Sequence, residues 1–224
     1  MLSADLHIHT SCSKDGESTV EEVLVAAIGA GMDAIAITDH DTMDGYAIAC
    51  KLSSEFSEIL VIPGVEVSTR EGHLIALGVL DAPCPGAPIL DTIQEVRAMG
   101  GITILPHPFH RYRHGAGLKC PQAFSAVDAV EVYNSRYVIP HANQRAMRLA
   151  RSMGKPGVAG SDAHNARFIG YGRTLIDAEK SVGAVIRAIK EGKTQPAGRK
   201  TPVRIYTKQS LRNSWRKIRG RIHK

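Results

Sequence analysis

The sequence has no cysteines at Cys-x-x-Cys spacing and no long apolar run. Its four cysteines are scattered, which is typical of reduced thiols rather than of a disulfide framework or a zinc knuckle; they are Cys12, Cys50, Cys84 and Cys120. No apolar run approaches the roughly 20 residues that a membrane-spanning helix requires. Asp5 and two histidines lie where the apolar segment of a secretory signal would fall. We therefore expect a cytoplasmic protein without a transmembrane segment.

Acidic residues are absent from the C-terminal stretch of the chain. Residues 193–224 contain eleven Lys or Arg and no Asp or Glu, whereas the other 192 residues contain 17 basic and 22 acidic side chains. The formal net charge of +6 therefore arises from this stretch, and the rest of the chain is mildly acidic. Affinity for an anionic partner is expected of the C-terminal stretch alone.

Apolar strand-like runs alternate with helical patterns over the first 191 residues. Strands are predicted near residues 5–9, 34–38, 59–67 (with a break at 63–64), 73–77, 102–106, 129–132 and 156–159, and helices near 20–28, 43–56, 89–99, 139–153 and 181–191. The first helix follows a Ser18-x-x-Glu21 capping box. This alternation indicates an α/β fold with mostly parallel strands, and about seven short units favour a compact barrel.

The chain is long enough for one large domain with a small appendage. The Pro- and Gly-containing stretch 192–198 is predicted to leave the barrel, which places the barrel domain at residues 1–195 and a basic tail at residues 196–224. Apolar residues in the tail follow one helical stripe; they are Leu211, Trp215, Ile218 and Ile222. Three roles are open for the tail: packing on the barrel, contact with a nucleic acid backbone, or contact with an anionic membrane surface.

Histidines and carboxylates recur at the ends of the predicted strands. His7 and His9 are two residues apart on a strand and therefore point the same way. In a parallel barrel the C-terminal ends of all strands meet at one face, where the loops build the site. His73 opens its strand, so it fits this pattern only if that strand runs antiparallel or begins elsewhere. The nine side chains in this pattern are His7, His9, Asp15, His40, Glu66, His73, His107, Asp162 and His164.

Nine side chains exceed the roughly three to six ligands that one metal ion binds. We therefore expect two or three divalent ions, with a carboxylate such as Glu66 bridging two of them. The lack of cysteine among these residues argues against a structural zinc site, and mixed histidine and carboxylate ligands suit Mn, Fe or Zn in a catalytic cluster. A single histidine at a strand end is more often structural, but six of the ten histidines follow this pattern.

Five segments, in order along residues 5–164, resemble the motifs of the polymerase and histidinol phosphatase (PHP) superfamily. They are DLHIHT at 5–10, ITDHDT at 37–42, PGVE at 63–66, HP at 107–108 and GSDAH at 160–164. The resemblance implies a distorted seven-stranded (β/α) TIM-like barrel with a trinuclear metal site at the C-terminal ends of the strands. Matched by position, it implies a first ion on His7, His9, Glu66 and Asp162, a second on Glu66, His107 and His73, and a third on Asp15, His40 and His164.

The resemblance also implies a metal-dependent phosphoesterase, in which bound ions activate water for attack on phosphorus. Asp162 and His164 are then expected to be catalytic residues. Arginine presents a planar fork that matches phosphate oxygens, so Arg111 and Arg136 are candidates for the substrate clamp, and Arg167 is a third. Either His110 or His164 is a candidate to protonate the leaving group. Asp39 and Asp41 flank His40 and either orient it or cap their loop.

The expected substrate is a phosphomonoester of a small metabolite, such as histidinol phosphate, or of a nucleotide. The alternative within the same chemistry is a nuclease that grips nucleic acid through the basic tail. The alternative from another class is a non-catalytic binding module built on the same barrel. Retention of the full set of nine side chains argues against that alternative, because a degenerate scaffold has no need of them.

Overall fold

The structure, a computed structural model, describes residues 1–110, 115–137 and 140–202. Its strands are β1 (Leu2–Ile8), β2 (Ala34–Ile37), β3 (Leu60–Ser68), β4 (His73–Leu77), β5 (Ile102–Leu105), β6 (Ala129–Asn134), β7 (Gly157–Gly160), β8 (Gly172–Ile176) and β9 (Thr194–Gly198). Its α-helices are α1 (Val20–Gly29), α2 (Asp44–Lys51), α3 (Ile89–Ala98), α4 (Ala123–Ala126), α5 (Pro140–Ser152) and α6 (Val182–Lys190). Arg111 and the predicted tail helix near residues 211–222 lie outside the described residues.

The strands form one sheet in the order β7-β6-β5-β4-β3-β2-β1-β8-β9. Parallel pairs join β1 to β2, β2 to β3, β5 to β6 and β6 to β7. Strand β4 is antiparallel to both β3 and β5, so those two run in the same direction. The C-terminal ends of β1, β2, β3, β5, β6 and β7 therefore meet at one end of the sheet, which we call the upper rim.

Contacts between β7 and the β1–β8 region nearly close the sheet into a barrel. Ile8 forms a parallel bridge to Ala163, whose carbonyl accepts a hydrogen bond from the His9 amide at 2.8 Å. The amide of Ala159 donates to Oγ1 of Thr174 at 2.8 Å. The predicted α/β barrel class is confirmed, but the sheet has nine strands rather than the predicted seven.

The two additional strands, β8 and β9, lack the continuous apolar run that marks a parallel strand buried on both faces. Strand β8 has the sequence GRTLI, and β9, at the sheet edge, has the sequence TQPAG with a proline that an edge strand tolerates. The prediction that residues 192–198 leave the barrel as a linker is therefore wrong. The predicted boundary after residue 195 falls inside β9.

Strand β3 continues through Pro63 and Gly64, where the sequence predicts a break. Residues 60–63 pair with β2, whereas residues 64–68 pair with β4. The strand therefore changes its partner at the proline, and the Pro63 carbonyl accepts the amide of Gly78 at 2.8 Å. A proline is tolerated there because the change of partner removes the need for a continuous ladder of N–H donors.

The capping box of helix α1 lies one residue later than predicted, at Thr19 and Glu22. Thr19 is the N-cap: its Oγ1 accepts the amide of Glu22 at 3.2 Å, and Glu22 Oε2 accepts the Thr19 amide at 2.9 Å. Val23 and Leu24 lie on the predicted apolar stripe and pack with residues of β2. No helix in the described ranges has both the length and the apolar character needed to cross a bilayer.

Asp5 joins the two sides of the barrel seam. Its Oδ1 accepts the amide of Ser161 at 2.9 Å, and its Oδ2 accepts the amide of Gly170 at 2.8 Å. The side chain is fully buried. Burial raises the pKa of Asp5 to about 6, although the backbone donors oppose this shift. At pH 7.5 the carboxylate is therefore ionised, and both of its oxygens accept hydrogen bonds.

We predict that Asp5→Asn lowers the free energy of unfolding by about 1–3 kcal/mol, because one amide N–H donor would replace an acceptor that faces a buried backbone N–H. Urea unfolding at pH 7.5 with a chelator present measures this without a contribution from metal. Asp33→Asn is the matched control, because Oδ2 of Asp33 accepts the Ser3 amide at 2.8 Å and an amide oxygen can accept the same bond. Equal losses in the two variants would contradict the role of Asp5.

Candidate metal centre

The structure brings all nine predicted side chains together at the upper rim. His7 and Glu66 lie within β1 and β3, His73 is the first residue of β4, and the other six follow the ends of strands. Their potential ligand atoms form four overlapping groups, each with all of its atoms within 4.8 Å of one another. These groups are His9, Asp15, His40 and His164; His7, His9 and Glu66; His7, His107 and Asp162; and His40, Glu66 and His73.

Glu66 is the centre of this arrangement, and only 1% of its surface is exposed. Five histidines surround its carboxylate: Oε1 lies 3.0 Å from His73 Nδ1 and 3.0 Å from His107 Nε2, and Oε2 lies 3.3 Å from His7 Nε2, 3.2 Å from His9 Nε2 and 3.4 Å from His40 Nδ1. Burial raises the pKa of Glu66, but the neighbouring imidazoles outweigh it and hold that pKa well below its ordinary value. Both oxygens thus face several potential ligands, as a bridging carboxylate requires.

The position of His73 follows from the direction of β4. Because β4 runs antiparallel to β3, its first residue lies where the neighbouring strands end, and Ser68 pairs with His73 at that point. His73 therefore reaches the upper rim from the start of its strand, whereas the other candidates reach it from within or after theirs, because β4 runs in the opposite direction.

The donor set fits divalent cations. Nε2 of His7 and Nε2 of His9 lie only 3.1 Å apart, and carboxylate oxygens of Glu66 and Asp162 lie within 3.8 Å of both. Within the described residues, Asp15 Oδ1 is buried and has no hydrogen-bond partner. Such a convergence of nitrogen and oxygen lone pairs is expected of ligands to Mn, Fe or Zn.

Arg136 lies in the loop after β6 and is buried. Its Nη1 donates to the carbonyl oxygen of Asp162 at 3.0 Å and to Oδ1 of the same residue at 3.1 Å, and it also contacts the ring of His164. Burial, with the positive charge of Arg136 next, lowers the pKa of His164 to about 3. His164 is therefore neutral at pH 7, which is the form that binds a metal.

The other candidates beyond the nine side chains have different positions. Arg167 is exposed, and its Nε donates to Asn165 at 3.0 Å. His110 stacks on Tyr137 with ring centroids 5.3 Å apart, and its ring lies 6.4 Å from that of His107. Neither residue belongs to the four groups of potential ligands among the described residues.

Asp39 and Asp41 both hold loops, and Asp39 also positions a predicted ligand. Asp39 Oδ1 accepts the hydroxyl of Ser13 at 2.7 Å, and Oγ of Ser13 accepts the amide of His40 at 2.9 Å. Asp41 Oδ1 accepts the amide of Ser68 at 2.6 Å. Capping of the loop and orientation of His40 are thus compatible roles, because the hydrogen bonds that cap the loop also fix the backbone of His40.

Three non-glycine residues in the described part of the chain have positive φ, and all lie at the upper rim. They are Asp41 at 56°, His107 at 29° and Asp162 at 53°. Such conformations cost free energy and persist only where surrounding contacts impose them, which is frequent at functional sites. His107 and Asp162 are potential ligands, and Asp41 follows the potential ligand His40, so these loop conformations belong to the site.

Glu131 and Asn134 were not predicted from the sequence. Glu131 is buried in β6, where Oε1 lies 3.0 Å from Nδ1 of His7. Asn134 Nδ2 donates to Glu131 at 2.9 Å and to Asp162 at 3.2 Å. For Glu131, the available signal in the sequence was a carboxylate inside an apolar strand-like run, which is also how Glu66 stands out in β3.

The fold and this cluster define a nearly closed α/β barrel with a candidate metal centre at the C-terminal ends of its strands. The family model described as the PHP domain matches residues 5–82, and the model described as PHP-associated matches residues 140–194. The uncharacterised protein MJ1587 of Methanocaldococcus jannaschii is 35% identical over 145 residues, which cover 60% of this chain and 82% of that protein. The chain belongs to the PHP family.

Two further comparisons describe its relatives. The phosphoribosyl 1,2-cyclic phosphate 1,2-diphosphodiesterase of Eggerthella lenta is 38% identical over 92 residues, which are 38% of this chain but only 33% of that enzyme. The crystal structure of a two-domain protein containing a predicted PHP-like metal-dependent phosphoesterase from Bacteroides vulgatus matches with a TM-score of 0.75 at 20% identity. The match covers 88% of this chain and 65% of that one, and it supports the barrel fold.

We predict that Mn²⁺ or Zn²⁺ added to the chelator-treated protein raises its melting temperature, because an ion that binds only the folded state stabilises it. An excess of 100-fold over Kd corresponds to about 2.7 kcal/mol. Ca²⁺ is the matched comparison: it prefers oxygen ligands, so six imidazoles disfavour it and the shift should be smaller. Equal melting temperatures with and without Mn²⁺ and Zn²⁺ would contradict the metal centre.

Proposed function

We propose that this protein is a metal-dependent phosphoesterase that hydrolyses a phosphomonoester of a small metabolite or nucleotide. The observation that carries the proposal is the convergence of nine potential ligands around Glu66 at the upper rim. We assign two or three divalent ions, Mn, Zn or Fe, to these residues. The proposed sets are His7, His9, Glu66 and Asp162; Glu66, His73 and His107; and Asp15, His40 and His164.

Bound divalent ions would supply charge stabilisation for a phosphoryl group and would lower the pKa of water. The protein then has to position the substrate and neutralise its charge. Arg136 suits this task, because its guanidinium is held beside Asp162 by two hydrogen bonds and remains charged at any physiological pH. We also propose Arg111 as a substrate contact on the sequence evidence alone, since it lies outside the described residues.

The choice of a phosphoester is supported by the relative from Eggerthella lenta, whose name describes a diphosphodiesterase of phosphoribosyl 1,2-cyclic phosphate. The alignment with that relative covers only 38% of this chain. Whether the substrate is a monoester or a diester is therefore a question for experiment, and both kinds of substrate should be tested in the same assay.

A nuclease is the second candidate, and the position of Thr201 favours it. The amide of Thr201 donates to the carbonyl of Ser135 at 2.9 Å, and its Oγ1 lies 2.8 Å from Oγ of Ser135, which donates to the carbonyl of Ser161 at 2.7 Å. Ser135 and Ser161 directly precede Arg136 and Asp162, so the chain reaches residue 201 beside the site. Eight Lys or Arg follow among residues 203–224, and cations of this kind bind a nucleic acid backbone with marked salt dependence.

Asp162→Asn should lower kcat at least about 100-fold in the metal-loaded protein. A bound ion supplies several kcal/mol of charge stabilisation, and each 1.36 kcal/mol is a factor of ten in rate. Asp177→Asn makes the same change at an exposed residue beyond β8 and should leave kcat unchanged. Circular dichroism of each variant checks the fold. A wild-type rate in Asp162→Asn would remove this residue from the proposed centre.

Product analysis distinguishes the candidate functions: monoester hydrolysis releases inorganic phosphate, whereas opening of a cyclic phosphodiester leaves a monoester that is detected by chromatography. The full chain and a chain ending at Pro202, which retains Thr201, are assayed with Mn²⁺ on histidinol phosphate, mononucleotides, a cyclic phosphodiester and a 5′-phosphorylated oligonucleotide. Gel analysis of the oligonucleotide detects cleavage of internal bonds. We predict turnover of small phosphomonoesters by both chains. Activity confined to the oligonucleotide and lost on truncation would establish the nuclease instead, and binding without turnover of any ester would establish a binding module.

A further inference from the structure

We propose that Glu131 is a positioning residue that fixes the tautomer of His7 and so directs Nε2 of that ring into the metal centre. This inference rests on the proposed metal centre, but its test does not depend on which ester is hydrolysed. Glu131 is none of the nine predicted ligands, and its carboxylate contacts two of them, His7 and His107.

The two oxygens of Glu131 have separate tasks. Oε2 accepts the amide of His107 at 2.7 Å and Nδ2 of Asn134 at 2.9 Å, so two donors already occupy it. Oε1 lies 3.0 Å from Nδ1 of His7. A carboxylate only accepts hydrogen bonds, so the proton of this contact belongs to His7 Nδ1.

With Nδ1 protonated, the lone pair of a neutral His7 is on Nε2. That nitrogen lies 3.3 Å from Oε2 of Glu66 and 3.1 Å from Nε2 of His9, at the centre of the cluster. A carboxylate behind a metal-binding histidine orients the ring and makes it a stronger ligand. Glu131 has the geometry for this role toward His7.

The surrounding backbone is shaped to allow this contact. The pairing of β1 with β2 is irregular between Asp5 and Ile8, and the pairing of β6 with β7 is irregular between Glu131 and Tyr133. A Cβ atom at Gly160 would lie 2.5 Å from Cβ of His7 and 2.6 Å from Oε1 of Glu131. Strand irregularities re-aim side chains beside functional sites, and the glycine leaves room for the pair.

Asn134 extends the same network to the opposite side of the centre. Its Nδ2 donates to Glu131 and, at 3.2 Å, to Oδ2 of Asp162, and its Oδ1 accepts the amide of Arg136 at 2.9 Å. One buried carboxylate and one amide therefore connect β1, the loop after β5 and the loop after β7.

Glu131→Gln separates positioning from packing, because the two side chains have nearly the same shape. The amide oxygen of glutamine is expected to take the position of Oε2, where two donors require an acceptor. Its NH₂ group then faces His7 Nδ1 and requires a lone pair there, which moves the ring proton to Nε2, on the side of the metal centre. The variant should therefore fold normally but bind metal poorly.

The matched control is Asp128→Asn, which makes the same chemical change at the residue before β6. Oδ2 of Asp128 accepts the amide and the hydroxyl of Thr103 at 2.8 and 2.9 Å, and neither group is a predicted ligand. Loss of stability without loss of metal affinity is expected there.

The experiment measures Zn²⁺ affinity and stoichiometry in the full chain and its two variants by competition with a chelator of known affinity. We expect Glu131→Gln to bind Zn²⁺ about 10–100-fold more weakly, with the affinity of Asp128→Asn unchanged. Nitrogen-15 NMR of the histidine rings in the Zn²⁺-loaded wild-type protein should show the His7 proton on Nδ1. A proton on Nε2 of His7 in that spectrum, or wild-type Zn²⁺ affinity in Glu131→Gln, would overturn the proposal. The wild-type spectrum decides the question even if the variant does not fold.

Discussion

The upper rim of this barrel depends on one constraint: a buried carboxylate, Glu66, has nitrogens of five histidines within 3.4 Å. Burying so many ionisable groups is costly unless they are paired or bind a cation. The rim shows what holds them in place. Among the described residues, three that are not glycine adopt positive φ, and two strand pairings are irregular. Buried carboxylates outside the cluster, Asp39 and Glu131, fix the backbone or the ring of individual histidines.

Topology delivers these side chains from distant parts of the sequence. Six strands in one direction bring their C-terminal ends to the rim, and the reversal of β4 adds His73 from the start of a strand. Asp5 links the two sides of the seam by accepting the amides of Ser161 and Gly170. The order of the strands and the closure of the barrel are thus conditions for the cluster, and they account for its assembly from residues that span 158 positions of the chain, from His7 to His164.

Much of this arrangement could be predicted from the sequence, because short buried strands that end in histidine or carboxylate identify both the sheet and the site. Strand β4 has its predicted bounds, and the nine side chains converge as expected. Strands β8 and β9 were not predicted, because neither GRTLI nor TQPAG, which contains a proline, has the continuous apolar run of the parallel strands. Glu131 stands out in the sequence as a carboxylate inside an apolar strand-like run, but its role was missed because the contact with His7, 124 residues away, is not encoded in that local pattern.

We infer that several catalytic ions bind around Glu66 in this PHP-family barrel. The most direct test titrates Mn²⁺ into chelator-treated protein and measures, in the same samples, the ions bound per chain and the rate of phosphomonoester hydrolysis. We expect two or three bound ions and a rate that rises as the sites fill. Hydrolysis that is independent of bound metal, or a single ion per chain at saturation, would contradict it.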